Sequence, residues 1–102
     1  MLISDASSVA YEYLLLNRPI IFIDVPELFE RYGKEGVHFW GRECGDVVTG
    51  TAMLKCAVEA ALADPDRKRV ARESMLTRVL FHPGHGTETA GRAIFSLMEA
   101  VR

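Results

Sequence analysis

The sequence carries no block of basic residues: twelve Lys and Arg stand against fourteen Asp and Glu, a formal charge of −2. A grip on a nucleic-acid backbone needs clustered cations, so nucleic acid is not an expected partner. Cysteine is scarce, and Cys44 and Cys56 form neither a CxxC pair nor a zinc-like cluster. That excludes a disulfide scaffold and suits a reducing compartment. No uninterrupted apolar run approaches the ~20 residues of a bilayer crossing, and Met1-Leu2-Ile3 lacks the charged and cleavable flanks of a signal peptide. A soluble, cytoplasmic chain is the expectation.

What is present is a globular composition, 49% hydrophobic and 25% charged over 102 residues. A domain usually occupies ~100–150 residues, so 1–102 is expected to form one domain, and a two-domain mechanism cannot be completed within it. No repeat, linker or low-complexity tract interrupts it.

Met1-Leu2-Ile3, a polar turn over Ser4 to Ser8 and an apolar segment from Val9 to Leu16 read as strand, turn and helix. Ser or Asp can cap the helix, Asn17 suits the left-handed residue that ends it, and Pro19 blocks continuation. Ile20-Ile21-Phe22-Ile23 is apolar on both faces, as in a parallel strand covered by helices on each side. The chain thus opens with a β-α-β unit whose strands are Leu2–Ser4 and Ile20–Asp24. A short helix with proline in its first turn follows at Pro26 to Tyr32, stopped by Gly33. From Gly33 to Gly45 no period is legible, while Val47–Thr49 predicts a weak third strand. Leu54, Val58, Ala61 and Leu62 mark a helix, and Asp64-Pro65 reads as the cap and first turn of the next. After the His82 to Gly86 loop, Ala90, Ile94, Leu97, Met98 and Val101 mark one face of a closing helix.

Several residues could carry chemistry. Ser7 and Ser8 lie where a strand's carboxyl end meets a helix N-terminus, a place that offers N–H and hydroxyl donors to an anion such as a diphosphate; the plainer reading is a helix cap. Glu12 is the only charged residue between Ala6 and Asn17. It either points outward at the helix's wet edge, which the cost of burial favours, or meets a partner such as a ligand hydroxyl. His82 and His85 lack the further ligands a metal site needs, which favours a solvent loop and no metal. Trp40, with Phe39 and His38, could stack on a base but better suits a core. Neither cysteine has a constellation that would activate it.

Taken together, Asp-x-Ser-Ser, a glutamate four residues after the second serine and a basic-Pro-apolar strand, all within LISDASSVAYEYLLLNRPIIF, resemble the CDP-glycerol glycerophosphotransferase family, which includes teichoic acid primases and polymerases. Gly45 to Thr49 and Gly84 to Thr87 look like later family segments. The resemblance implies a fragment, or a truncated relative, of the C-terminal donor domain of a GT-B fold. By position, Ser7 and Ser8 would contact the donor's diphosphate, Glu12 would reach its ribose or neighbouring groups, and Asp5 would shape the turn. The family's catalytic histidines precede Asp-x-Ser-Ser, so no catalytic residue carries over to this chain. The partner implied is CDP-glycerol or a related nucleotide-diphosphate donor, with no further cofactor. The parent enzyme would work at the inner face of the cell membrane, passing glycerol phosphate to a wall polymer.

The expected architecture is α/β: a three-layer, Rossmann-like partial domain with a short parallel sheet. A nucleotide-sugar glycosyltransferase of the same fold, or a non-catalytic α/β binding or assembly module, is the alternative. Three strands are fewer than a complete doubly wound sheet, which predicts an uncovered edge and a homo-oligomer that pairs edges or exchanges a helix.

Overall fold

A computed structural model describes residues 1–33 and 37–102, with the backbone alone for residues 37–40. The readings of Trp40, Phe39 and His38 therefore concern side chains outside the described residues. The chain runs β1 (Leu2–Ser4), α1 (Val9–Tyr13), a 3-10 turn (Leu14–Leu16), β2 (Ile20–Ile23) and α2 (Pro26–Tyr32). A 3-10 segment (Val37–Cys44), β3 (Asp46–Val48), α3 (Thr51–Ala63), α4 (Arg69–Val79) and α5 (Gly86–Ala100) complete it. The three strands form one parallel sheet in the order β1-β2-β3, with Ser4 opposite Phe22 and Ile23 opposite Val48.

This is an α/β fold, a partial Rossmann-like unit. The central strand has no wet face along most of its length: Ile20, Ile21 and Phe22 are buried, and only Ile23 at its end is exposed. Ile20 and Phe22 pack with Ala10 and Leu14 from the first crossover, Cys44, and Met75 of α4. Strand alternation turns Ile21 to the opposite face. There α3 packs along β2 and β3, so helices cover both faces. The first crossover ends as its sequence predicts, on Asn17 at φ 47°, ψ 44°, which returns the chain to Pro19, whose carbonyl accepts the Leu2 N–H at 3.0 Å.

Several boundaries differ from the sequence reading: β2 ends at Ile23, one residue before Asp24, and the last turn of the first helix, Leu14–Leu16, is 3-10. The third strand is Asp46–Val48, one residue earlier than expected. Gly45 lies so close to β2 that a Cβ there would stand 2.2 Å from the Ile20 carbonyl oxygen, and Asp46 enters the ladder opposite Ile21. The fourth helix begins at Arg69 instead of at Pro65. Residues 65–68 make tight turns, Arg67 forms an ion pair with Asp46, and the Pro65 carbonyl is held by Arg72 Nη2 at 2.9 Å. Contacts across the chain fix the turn where local propensity reads a helix start.

Helix α5 stands apart. None of its residues is buried, and Ile94, Phe95, Leu97 and Met98 are all at least half exposed. The radius of gyration is 17.3 Å, against about 13 Å for a compact chain of this length, and the long dimension is 62 Å. Among the described residues no helix is long and apolar enough to cross a membrane.

Candidate functional site at the carboxyl ends of the strands

The turn after β1 carries the residues singled out in the sequence. Asp5 is exposed, Ser7 half-buried and Ser8 exposed. Ser7 Oγ accepts the Val9 N–H at 3.4 Å, and the Ser7 carbonyl accepts the Ala10 N–H at 3.3 Å. Ser7 therefore does the capping. The Ser8 side chain makes no cap hydrogen bond, although Ser8 is the residue immediately before α1. Its carbonyl accepts the N–H groups of Tyr11 at 3.0 Å and Glu12 at 3.4 Å. That closes a helical turn and sets Ser8 and Glu12, four apart and both exposed, on one face. The two serines thus divide: one is engaged locally, the other presents its hydroxyl outward. Glu12 takes the outward orientation that the cost of burying a lone carboxylate favours.

A shallow cleft opens beside this turn, between the chain leaving β1 and the chain leaving β2. Asp5 and Ala6 line it on one side, Leu28 of α2 on the other, with Phe22 and Ile23 at the strand end and Arg42 completing it. Its enclosed space is only about 10 Å³, room for about one water molecule, so a ligand here would lie across the mouth of the cleft. Of the four residues assigned to the site, Asp5 lines the cleft, Ser7 and Ser8 follow on the adjoining turn, and Glu12 stands on α1.

Two residues here escaped the sequence reading. Asp24 follows β2 directly, and its carboxylate pairs with Arg42. Arg42 also lies over the Phe29 ring, with Cζ 4.8 Å from the ring centre. Asp24 could have been found from its place at a strand's carboxyl end, where ligands of open α/β sheets bind; Arg42 sits in a segment without period and gives no such signal. Tyr11 anchors the same segment, its hydroxyl accepting the Gly41 N–H at 3.2 Å.

Residues 1–85 match a family described as CDP-Glycerol:Poly(glycerophosphate) glycerophosphotransferase. The chain belongs to this family. No curated protein and no solved structure matches it. The glycerophosphotransferase match takes in the whole sheet, the serine turn and the cleft, and it stops one residue before α5.

The remaining chemistry-bearing side chains lie elsewhere. His82 and His85 are exposed in the turn before α5, His82 at φ 53° and His85 Nδ1 3.9 Å from Glu88. Among the described residues no three His, Cys, Asp or Glu side chains gather in a way that could hold a metal ion. Cys44 is fully buried with Sγ 3.5 Å from the Ala71 carbonyl oxygen, and burial, reinforced by the Glu43 charge, pushes its thiol up to about 11. A thiol held protonated in this way is a poor nucleophile.

Proposed function

We propose that this glycerophosphotransferase-family chain binds the diphosphate of CDP-glycerol, or of a related nucleotide donor, at the turn from Asp5 to Ser8 and the adjoining cleft. The observation that carries the reading is the exposed Ser8 hydroxyl, left out of the helix cap, at the carboxyl end of a parallel strand in a chain of this family. In this reading Ser8 donates to a phosphate oxygen, Ser7 holds the turn, Asp5 borders the cleft, and Glu12 accepts a hydroxyl of the ribose or the glycerol.

The chemistry these residues supply is binding and charge stabilisation. When glycerol phosphate passes to an acceptor, an acceptor oxygen bonds the glycerol-bearing phosphorus, the bond from that phosphorus to the bridging oxygen breaks, and the bridging oxygen leaves with CMP, on which negative charge gathers. Hydroxyl and N–H donors aimed at that phosphate lower the barrier. No residue of this chain is assigned as the base that activates the acceptor. The chain serves as the donor side of a GT-B transferase that adds glycerol phosphate to a teichoic-acid-type polymer at the cytoplasmic face of the membrane, and by itself it turns over no donor.

Self-association belongs to the same reading. The exposed apolar face of α5 and the open edges of a three-stranded sheet are surfaces that a stable monomer rarely leaves in water.

The test is calorimetric titration of the full chain with CDP-glycerol, CDP, CMP and a UDP-sugar. Cytidine diphosphates are expected to bind, with Ser8→Ala weakening them about tenfold, the loss of one charge-assisted hydrogen bond. Equal binding of the UDP-sugar would favour a nucleotide-sugar enzyme of similar fold, and no binding of any nucleotide would leave an assembly module as the better account.

A further inference from the structure

The reading of the serine turn makes no use of the cation beside it. Arg42 Nη2 pairs with Asp24 Oδ1, and the guanidinium lies 4.8 Å from the centre of the Phe29 ring. Asp24 leaves β2, Phe29 belongs to α2 and Arg42 to the 3-10 segment, so three parts of the chain converge on one charged group. The Asp24 and Arg42 side chains are 20% and 23% exposed, so each keeps a minor part of its surface toward solvent.

Charge in the cleft favours a role for that group. Among the described residues lining it, Arg42 is the cation and Asp5 the carboxylate. A phosphate entering beside Asp5 meets like charge and needs a compensating cation within a few ångströms. The guanidinium is a fork of N–H donors whose geometry suits phosphate as well as carboxylate. Its contact with the Phe29 face does not depend on Asp24, so the ring keeps the guanidinium in place when the carboxylate lets go.

We propose that Asp24 is an internal stand-in for a phosphate: its carboxylate holds Arg42 when no anion is bound, and a phosphate or diphosphate of a nucleotide replaces it on the guanidinium. The inference rests on the donor-binding reading and names the residue that supplies its positive charge. The exchange puts one anionic partner in place of another, so the guanidinium stays paired throughout. Asp24 sets the strength of that exchange by competing for Arg42.

This predicts effects of opposite sign from the two halves of one ion pair. Full-length protein and its Arg42→Gln, Arg42→Lys and Asp24→Asn variants are titrated with inorganic pyrophosphate, CDP and cytidine, and their melting is followed by circular dichroism. Arg42→Gln is expected to weaken pyrophosphate and CDP about tenfold or more, Arg42→Lys less, and Asp24→Asn to tighten both several-fold, while cytidine is unaffected throughout. A purely structural pair would lose binding in both variants or in neither, and either pattern overturns the proposal. If Arg42→Gln does not fold, the sign of the Asp24→Asn effect decides alone. Should the variants move pyrophosphate as expected while CDP binds no better than pyrophosphate, Arg42 stands as an anion site and the cytidine-donor reading falls. CDP binding that is indifferent to all three variants would keep the donor reading and sink this one. If the unmodified chain binds neither pyrophosphate nor CDP, both fail.

Discussion

Arg72 Nε donates to Asn17 Oδ1 at 2.9 Å, and so a buried guanidinium on α4 grips the residue that ends the first crossover. Its Nη2 reaches the Asn17 carbonyl at 3.4 Å and the Pro65 carbonyl at 2.9 Å, so neutral oxygens accept all three bonds. Asn17 answers with Nδ2 on Glu73 Oε1 at 3.1 Å, which helps Arg69 hold that carboxyl below the usual carboxylate range. One side chain thus fastens the β1-α1-β2 unit, the Pro65 turn and α4. Arg72 is 2% exposed, and that burial is tolerable because its donors are satisfied.

Removing that grip leaves acceptors buried without partners. Arg72→Ala is expected to cost about 3 kcal/mol or more, a fall of more than ~10 °C in melting temperature for a chain of this size. At Asn17 the left-handed backbone matters separately from the amide. Asn17→Gly, which keeps that conformation open, should cost less than Asn17→Ala, which loses both. Thermal melts of the three variants check the order; an Asn17→Ala as stable as Asn17→Gly would show that backbone conformation contributes nothing.

Gly45→Ala is expected to be among the most damaging single-methyl changes in the chain. The added carbon would fall 2.2 Å from the Ile20 carbonyl oxygen and 3.0 Å from the Phe22 ring, and the first of these is backbone inside the sheet. Relief requires shifting β3 off β2, at several kcal/mol (~3 or more). Gly50→Ala, where nothing lies within 4 Å, is the control and should stay within about 1 kcal/mol. Chemical denaturation of both proteins tests the contrast.

The two cysteines should react very differently. Cys56 is exposed on α3, whereas Cys44 is fully buried and its thiol is held protonated up to about pH 11. At pH 8 an aromatic disulfide reagent is expected to label one thiol per native chain quickly and the second only on unfolding. The same shift ties stability to alkaline pH. The unfolded chain ionises Cys44 near 9.0 while the folded chain resists until about 11, so this contribution is complete below pH 9 and is lost as pH rises through that window. A Cys44→Ala variant should show a flatter decline of stability between pH 9 and 11; identical slopes would refute the linkage.

Deleting residues 86–102 is expected to leave the melting temperature of the rest nearly unchanged, since no residue of α5 is buried. The same deletion, or the pair Ile94→Glu and Phe95→Glu, should reduce self-association measured by light scattering, because it removes the largest exposed apolar side chains of the helix. A marked loss of stability on deletion would mean that α5 folds back onto the sheet in solution.

Sequence alone determined what depends on near neighbours. The apolar run from Ile20 to Phe22 reads as a strand covered on both sides, Asn17 and Pro19 end a helix by their own backbone preferences, and Asp-x-Ser-Ser with Glu12 carries the resemblance to a family whose match spans residues 1–85. These signals lie within a few residues of the structure they specify. Tertiary structure decided what depends on residues brought together across the chain. Local propensity makes Pro65 a helix start, yet Arg72 and the Arg67–Asp46 pair turn it into a loop; Gly45 reads as a turn residue, yet its value is the space it leaves for the Ile20 carbonyl. The division of labour between Ser7 and Ser8 and the meeting of Asp24, Phe29 and Arg42 have the same origin. Periodicity reports which face of an element is apolar, but the partner a side chain meets is set by the packing of elements far apart in sequence, and charged groups take whichever oxygen that packing leaves within reach.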